Sequence, residues 1–232
     1  MKAEPNTDDW RLKFSEHYSQ TLAKPGLSGR ILLDTHYVIE RPFGSEAIFP
    51  SVLEVGAGSG AHFGFVRHRF ERYLMTDASP HFVGQMREKF AAQPRVAVAQ
   101  SDAAVLEFED NSFDRLVATH VLEHLYQPHL VLREWNRVIR PGGVLSLILP
   151  CDPGLAWRIG RHFGPRRAAL KSGLPYDFFM ARDHVNSFFT LVELIRYYFA
   201  DRDESWWPFR FASADLNLIY GVNITVSKPV PP

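Results

Sequence analysis

The ten residues 51–60 constrain the fold more than any other part of the chain. They read SVLEVGAGSG, an apolar strand-like run followed by three glycines at alternate positions, Gly56, Gly58 and Gly60. Glycine at that spacing permits a tight turn and lets the backbone approach a ligand without an intervening Cβ. A helix-like segment, Ala61 to Phe70, follows directly. Together these features predict a nucleotide or nucleoside site, although glycines also end strands in plain tight turns.

Two acidic residues follow later strand-like runs. Asp77 ends the run Arg72–Thr76. It lies about 20 residues after the glycines, where a carboxylate can accept both hydroxyls of a ribose. A second interpretation of Asp77 is a helix N-cap before Ser79-Pro80. Asp102 follows the run Arg95–Ala99 in the same way. Acids at two strand ends therefore extend the predicted site beyond the glycine turn.

Apolar runs alternate with helical patterns along most of the chain, which predicts a parallel sheet covered by helices on both faces. The predicted strands are Ser51–Val55, Arg72–Thr76, Arg95–Ala99, Arg115–Thr119 and Val144–Leu149, and the helices lie near 61–70, 80–91, 126–138 and 190–200. Two closing strands, about Glu204–Phe211 and Leu216–Ser227, predict an antiparallel hairpin with a short turn at 213–215. We therefore expect an α/β fold, with a doubly wound, seven-stranded and mostly parallel sheet whose last strand is antiparallel.

Two further segments flank this pattern. Residues 1–50 predict a helical lead-in, with one helix around Trp10 to Leu22 and a second from Arg30 to Glu40. Residues 151–186 interrupt the pattern after the fifth strand and predict a cap. Since no repeat or interdomain linker is evident, we expect residues 1–232 to form a single domain.

Composition favours one soluble globular enzyme. Lys plus Arg and Asp plus Glu each number 26, so the chain as a whole gives no electrostatic reason to bind nucleic acid. The single cysteine, Cys151, suits a reducing compartment. No apolar run approaches the roughly 20 residues of a membrane span, and the first residues lack the apolar core of a signal peptide. We expect a cytoplasmic protein that is a monomer or a homodimer.

The order and spacing of these motifs resemble the class I S-adenosylmethionine-dependent methyltransferases, in particular their small-molecule branch. The resemblance covers roughly residues 45–150 and rests on E-x-G-x-G-x-G at 54–60, Asp77, Ser101-Asp102-Ala103, Asn111–Asp114 and Val138–Gly143. It implies S-adenosylmethionine as the cofactor. The implied contacts are Glu54, Gly56, Ala57, Gly58 and Gly60 for the methionine part, Asp77 for the ribose, Asp102 for the exocyclic adenine nitrogen, Ala78 and Ala103 beside the ring, and His120.

Two histidines are candidates for the general base that a hydroxyl acceptor needs near neutral pH. His120 follows the fourth predicted strand, at the edge where open α/β sheets bind ligands. His184 lies in a polar segment where Asp183 could orient it, although a surface-loop histidine is an equally open interpretation. Residues 120–124 do not follow H-E-x-x-H and lack a third ligand, so we expect no metal.

The predicted cap carries six basic residues against three acidic ones, in a chain whose net charge is zero. The surplus is consistent with an anion-binding wall or with an ordinary solvated face. The candidate acceptor contacts are Arg158, Arg161, Tyr18 and Tyr176. In the last strands, the alternation of Trp206-Trp207 predicts one tryptophan in the core and one facing solvent, a partner or a sugar.

We therefore expect a methyltransferase that acts on a small molecule, at oxygen, with a sugar-derived, phosphorylated or other anionic acceptor. The cap supports this choice because its sequence is basic and aromatic and bears His and Asn, instead of being mainly apolar. A cofactor-binding protein that does not methylate, such as a regulatory subunit or a pseudo-enzyme, stays open as an alternative. A nucleotide-dependent dehydrogenase is disfavoured by the glycine spacing.

Overall fold

A computed structural model describes residues 35–228, and most of the predicted helical lead-in, including Tyr18, lies outside them. The sheet of the described residues has seven strands in the order β3-β2-β1-β4-β5-β7-β6. The strands are β1 (Ser51–Val55), β2 (Arg72–Asp77), β3 (Val96–Gln100), β4 (Phe113–Thr119), β5 (Ile139–Pro150), β6 (Arg202–Trp207) and β7 (Ile219–Thr225).

Helices alternate with these strands in the part of the chain that the structure describes. They are α1 (Tyr37–Glu40), α2 (Pro80–Lys89), α3 (Pro128–Val138), α4 (Leu155–Phe163), α5 (Pro165–Lys171), α6 (Tyr176–Asp183) and α7 (Phe188–Tyr198). Short 3-10 helices, His62–Phe65 and Leu122–His124, follow β1 and β4. The three helices α4, α5 and α6 form the segment that we call the cap, and they stand where a cap after the fifth strand is predicted.

The sheet confirms the predicted topology. The first five strands pair in parallel, whereas β7 is antiparallel to both β5 and β6. In the centre of the sheet, Leu53 of β1 pairs with Leu74 on one side and with Leu116 on the other. The carboxyl ends of the parallel strands therefore share one edge, which is where ligands of open α/β sheets bind.

Apolar side chains cover both faces of the sheet. On one face, Trp135 of α3 and Ile195 of α7 belong to the larger core cluster. On the other face, Ile39 of α1 and Met86 of α2 pack with Val117 of β4. Each fully buried large apolar side chain contributes about 1.5–3 kcal/mol, so both helical layers are fixed to the sheet. Within residues 35–228, no helix has the length and apolar character that crossing a membrane requires.

A buried ionic cluster joins α1 to the sheet. The guanidinium of Arg115 on β4 lies 2.7 Å from Glu40 Oε1, and both side chains are fully buried. The Nε2 atom of His62 lies 3.0 Å from the same oxygen, and the Nδ1 atoms of His62 and His36 are 3.1 Å apart. Arg115 Nε also donates to Ser146 Oγ on β5 at 3.0 Å. The charges are thus compensated inside the fold instead of in solvent.

The predicted helix from Ala61 to Phe70 is wrong beyond its first turn. After the 3-10 helix, Val66 is extended, and the chain pairs with an earlier segment instead. Arg69 N donates to Ala47 O, and Arg69 O accepts from Phe49 N, both at 2.9 Å. The backbone groups of this segment are therefore satisfied by a distant partner, which local helical periodicity does not indicate.

The predicted hairpin of β6 and β7 is confirmed, but its short turn at 213–215 is wrong. The connection spans residues 208–218. Asn217, which is fully buried, organises this loop through its side chain. Its Oδ1 accepts from Phe209 N at 2.8 Å, and its Nδ2 donates to the carbonyls of Phe211 and Ser213. We refer to this ordered connection as the 208–218 loop.

Alternation places the two adjacent tryptophans on opposite faces of β6, as the sequence predicts. Trp206 packs against the larger core cluster, where its ring lies 5.6 Å from Phe188 and 5.1 Å from Tyr220. Trp207 packs against the cluster on the opposite face. Trp207 stays partly exposed and lines a surface pocket with Tyr37, Arg41 and Arg67, so its contact with a partner or a sugar stays a prediction.

Candidate functional site

The turn after β1 leaves open space beside its backbone. Its three glycines have positive φ, +62° at Gly56, +57° at Gly58 and +66° at Gly60, which side chains rarely adopt. A Cβ on Gly56 would lie 2.5 Å from Val121 Cγ2, whereas a Cβ on Gly58 would meet no atom within 4 Å. Gly56 is thus required by packing, and Gly58 borders open space. The intervening Ala57 is buried, and its N–H donates to Thr76 O at 2.9 Å.

Glu54 is buried in β1 directly before this turn. Its Oε2 accepts a 2.7 Å hydrogen bond from the Tyr73 hydroxyl, while its Oε1 is buried without a hydrogen-bond partner. Burial raises the pKa of Glu54 in spite of the nearby His62 and Lys89. A cationic ligand group would favour the carboxylate form and satisfy the free oxygen. Glu54 therefore fits the ammonium-bearing methionine part of S-adenosylmethionine.

Asp77 connects the glycine turn to the end of β2. Its Oδ2 accepts from Gly58 N at 2.9 Å, and its Oδ1 accepts from Ser79 N at 2.8 Å. Helix α2 begins at Pro80 with Ser79 as its N-cap residue, so Asp77 is not the helix cap that the alternative interpretation required. Burial raises the pKa of Asp77 despite these two hydrogen bonds. Hydroxyl donors such as those of a ribose would favour its ionised form.

Removing the Asp77 carboxylate should weaken cofactor binding by more than tenfold. A charge-assisted hydrogen bond to a buried carboxylate contributes roughly 1.5–3 kcal/mol, and Asp77→Ala removes both acceptor oxygens. Isothermal titration calorimetry with S-adenosylmethionine measures the change. Asp203→Ala, an exposed carboxylate on β6, is the matched control. Unchanged affinity in Asp77→Ala would refute the assignment of the ribose contact.

Gly173, which lies in the cap, is a matched control for Gly58 in the turn after β1. Both have positive φ, +57° and +73°, and a Cβ at either position meets no atom within 4 Å. Alanine should therefore cost about 1–2 kcal/mol of backbone strain at each site. We expect only Gly58→Ala to weaken S-adenosylmethionine binding, by at least fivefold, because only its Cβ enters the ligand space. Equal affinities of the two variants in the same calorimetric titration would place the cofactor elsewhere.

The residues implied for the adenine lie at the ends of β2 and β3. Asp102 is exposed, and its Oδ1 accepts from Ala104 N at 2.8 Å in a local turn. Ala103 is buried, and its carbonyl accepts from Trp135 Nε1 at 2.7 Å. Ala78 is exposed beside β2. These positions leave the Asp102 carboxylate accessible, and its contact with adenine stays a prediction.

His120 stands at the end of β4 in a conformation that is unusual for a residue other than glycine. Its φ is +57°, and its N–H donates to Ile148 O of β5 at 3.0 Å. Its Nδ1 lies 3.6 Å from Glu123 Oε1, and its Nε2 is buried without a hydrogen-bond partner. Backbone strain of this kind clusters at functional sites. His120 thus lies at the edge of the sheet where ligands bind, and its contact with cofactor or acceptor stays a prediction.

His184 pairs with Asp152, and the prediction that Asp183 orients it is wrong. The Nδ1 atom of His184 lies 3.1 Å from Asp152 Oδ2. Asp183 instead accepts from the Arg182 guanidinium at 2.7 Å and 3.0 Å. Asp152 follows the end of β5 by two residues, so it lies at the same sheet edge as His120. Because ligands of open α/β sheets bind at the carboxyl ends of the strands, the position of Asp152 after the fifth strand would have marked it as a candidate site residue.

A row of polar residues joins the two candidate bases. The rings of His184 and His124 are in edge contact, with centroids 4.7 Å apart. The Nε2 of His124 lies 4.0 Å from Glu123 Oε1, the oxygen that also faces His120. Burial opposes ionisation of Glu123, but the imidazoles of His120 and His124 outweigh it and lower the pKa. Among residues 35–228, no group of three His, Cys, Asp or Glu side chains is arranged to hold a metal ion.

The structure separates the predicted acceptor contacts of the cap. Arg161 is largely buried and reaches towards Asp152, with an N–O distance of 3.7 Å. Arg158 is exposed, so the two arginines do not form one binding pair. Tyr176 is buried near Arg161, and burial raises the pKa of its hydroxyl to about 12. The side of the cap that faces the sheet edge thus offers Arg161 and a neutral Tyr176.

The cap is more apolar on its outside than its sequence predicted. Leu155, Ile159 and Phe163 of α4 all expose at least half of their surface. Charge is also partly compensated, because Arg166 pairs with Asp177 at 2.7 Å in addition to the pairs of Arg161 and Arg182. The expectation that the cap is not apolar is therefore wrong. The apolar residues are four positions apart in sequence, and they form one stripe only because the segment is a helix.

Comparison with known proteins relates the chain to methyltransferases. Residues 53–147 match a family described as a methyltransferase domain. A chloroplastic 2-methyl-6-phytyl-1,4-hydroquinone methyltransferase of Oryza sativa subsp. japonica is 36% identical over 104 residues, which cover 44% of this chain and 31% of that protein. A probable S-adenosylmethionine-dependent methyltransferase of Mycobacterium tuberculosis is 30% identical over 115 residues, which cover 50% of this chain and 41% of the relative. The chain thus spans less than half the length of these relatives.

Solved structures share the fold at low sequence identity. A methyltransferase from Aquifex aeolicus superposes with a TM-score of 0.60 at 18% identity, covering 91% of this chain and 98% of the other. The N-methyltransferase NodS of Bradyrhizobium japonicum, solved with S-adenosylhomocysteine, superposes with a TM-score of 0.59 at 15% identity, covering 92% and 98%. With the family match, these findings confirm the predicted resemblance. Residues 53–147 match the methyltransferase-domain family, the fold is that of class I methyltransferases, and the homologues support S-adenosylmethionine as the cofactor.

Proposed function

We propose that this class I methyltransferase domain transfers a methyl group to a hydroxyl oxygen of a small molecule. The observation that carries the proposal is the pair of His184 and Asp152, with 3.1 Å between Nδ1 and Oδ2, beside the ends of β4 and β5. A hydroxyl must lose its proton as it is methylated, and a carboxylate-oriented histidine is suited to accept it near neutral pH. An acceptor that is already a free nucleophile would not need this pair.

S-adenosylmethionine supplies an electrophilic methyl group on a sulfonium sulfur. The residues that would hold it are Glu54, Gly58 and Asp77, because they combine a buried free oxygen, open space at the backbone and a fixed carboxylate. Much of the acceleration of an in-line displacement comes from holding the reacting groups in line. In this proposal, His120 lies between the cofactor residues and the cap, and it orients the acceptor.

Asp152 fixes the tautomer of His184. In a neutral imidazole, Nδ1–H donates to the carboxylate and Nε2 keeps its lone pair. That lone pair would accept the proton of the acceptor hydroxyl. The imidazolium would then lie beside a carboxylate that stays ionised, since His184 and Arg161 outweigh burial and lower the pKa of Asp152. His184 is therefore the proposed base, and Asp152 is the residue that positions it.

We further propose that the acceptor carries an anionic group. The side chain of Arg161 is 26% exposed and approaches Asp152, so it can contact a ligand beside the proposed base. Its guanidinium is suited to a carboxylate or a phosphate.

Arg161→Gln should raise the KM of an anionic acceptor several-fold and leave cofactor affinity unchanged. The pair is partly exposed, so the effect should shrink at high salt. Arg158→Gln, one turn away on the exposed side of α4, is the matched control and should behave like the unmodified protein. Steady-state kinetics at two salt concentrations measure both variants. An unchanged KM in Arg161→Gln would remove the anionic group from the proposal.

A transfer assay with isotopically labelled S-adenosylmethionine tests the function. The acceptors are hydroxylated small molecules in phosphorylated, carboxylated and neutral versions, and mass spectrometry locates the methyl group. We expect one S-adenosylhomocysteine for each methylated oxygen. Methylation of nitrogen or carbon alone would contradict the hydroxyl assignment. Cofactor binding without transfer to any acceptor class would support the non-methylating alternative.

A further inference from the structure

The outer side of α4 carries an apolar stripe. Leu155, Ile159 and Phe163 recur every four residues and therefore lie on one side of the helix. They are 52%, 51% and 65% exposed. The other side of α4 contacts the fold, because Trp157 packs against a core cluster and Arg161 reaches Asp152. The stripe thus faces away from the protein and from the candidate site.

The 208–218 loop extends this stripe. Leu155 N donates to Asp215 Oδ1 at 3.1 Å, so the loop is fastened to the first turn of α4. The rings of Phe209 and Phe211 stack 5.7 Å apart and are 49% and 52% exposed, and Leu216 is 48% exposed. The two segments, joined at residues 155 and 215, together expose six large apolar side chains. We define the docking face as Leu155, Ile159, Phe163, Phe209, Phe211 and Leu216.

Cations border the docking face, and acidic groups are nearly absent from it. Residues 155–171 contain no Asp or Glu. Arg158, Arg167 and Lys171 of that segment are exposed, as is Arg210 between the two phenylalanines of the loop. Within the described part of the chain, none of these four forms an ion pair. Asp215, the one acid of the loop, is held by the amide of Leu155.

We propose that the docking face binds the surface of an anionic phospholipid bilayer. A helix with an apolar side and basic flanks lies in the lipid interface, with its apolar side chains among the acyl chains and its cations at the phosphates. Exposed apolar clusters on soluble proteins mark such contacts. The charges argue against a second copy of the chain, because a twofold contact would bring like cations together.

Vesicle flotation of the full chain tests this proposal without an acceptor. We expect binding to vesicles of phosphatidylglycerol mixed with phosphatidylcholine, weaker binding at high salt and little binding to phosphatidylcholine alone. The double variant Ile159→Ser with Phe163→Ser should bind at least tenfold less, because it removes two apolar side chains that would be buried among the acyl chains. Arg158→Gln and Arg167→Gln should each reduce binding about fivefold.

Two exposed positions outside the docking face serve as matched controls. Tyr197→Ser removes an apolar side chain that is 83% exposed on α7, and Arg133→Gln removes an exposed charge on α3. Both should bind vesicles as the unmodified chain does. Calorimetry with S-adenosylmethionine verifies that each variant is folded.

Two results would overturn the proposal. The first is an absence of binding to the anionic vesicles, or a loss of vesicle binding that is equal in the control variants and in the docking-face variants. The second is a dimer in analytical ultracentrifugation that the double serine variant dissociates, since a second copy would then cover the docking face. Neither result depends on methyl transfer, so the proposed function stands or fails separately.

Discussion

Replacing Glu40 with alanine should lower the free energy of unfolding by about 3–5 kcal/mol, because it leaves the fully buried guanidinium of Arg115 without its carboxylate. Urea unfolding measures the change. A double variant, Glu40→Leu with Arg115→Met, should lose less than Glu40→Ala, since it buries no uncompensated charge. Glu193→Ala is the control, because that carboxylate is 78% exposed and its pair with Arg196 should contribute little.

The contribution of Glu40 to the free energy of unfolding should depend on pH. His62 and Arg115 outweigh burial and lower the pKa of Glu40 from 4.5 to about 2. A carboxyl group whose pKa is lower in the folded state stabilises the protein above its unfolded pKa and loses that effect as pH falls through the folded value. The stabilities of the unmodified protein and Glu40→Ala should therefore converge between pH 4.5 and pH 2. A constant difference over that range would show that Glu40 acts through packing alone.

Replacing His184 with glutamine should slow methyl transfer to a hydroxyl acceptor by two to four orders of magnitude. General base catalysis contributes about 10²–10⁴-fold, and glutamine cannot accept a proton at neutral pH. Cofactor affinity should not change, because His184 lies on the cap side of the site, next to Asp152. Single-turnover kinetics with saturating S-adenosylmethionine measure the chemical step.

The controls for this variant address position and protonation. His129→Gln removes an exposed imidazole on α3 and should leave the rate unchanged. Asp152→Asn should slow the reaction as well, because the amide no longer holds His184 in the required tautomer. The deficit of His184→Gln should narrow as pH rises and the acceptor ionises without a base. A loss that is the same at every pH would make His184 a structural residue.

Local patterns were sufficient to predict much of the sheet. The apolar run before the glycine turn forms β1 from Ser51 to Val55, as predicted, and the acid that follows the next run ends β2 at Asp77. These segments combine strand-forming residues with glycine and proline at their ends, so sequence and tertiary context agree. The site at the carboxyl edge follows from the same topology, since parallel strands bring their ends together.

The errors arose where distant residues decide the structure. The segment before β2 is not helical, because the backbone of Arg69 forms hydrogen bonds with Ala47 and Phe49. Asp152 orients His184 across 32 positions of sequence, while the neighbouring Asp183 is taken by Arg182. Spacing within one segment carries no information about such contacts.

Calorimetric titration with S-adenosylmethionine, S-adenosylhomocysteine and NAD tests most directly whether the glycine turn after β1 is the cofactor site. We predict one site per chain for each of the first two ligands, no binding of NAD, and affinities that fall more than tenfold in Asp77→Ala but not in Asp203→Ala. Binding of NAD in place of S-adenosylmethionine, or S-adenosylmethionine affinity that is indifferent to Asp77, would contradict this prediction.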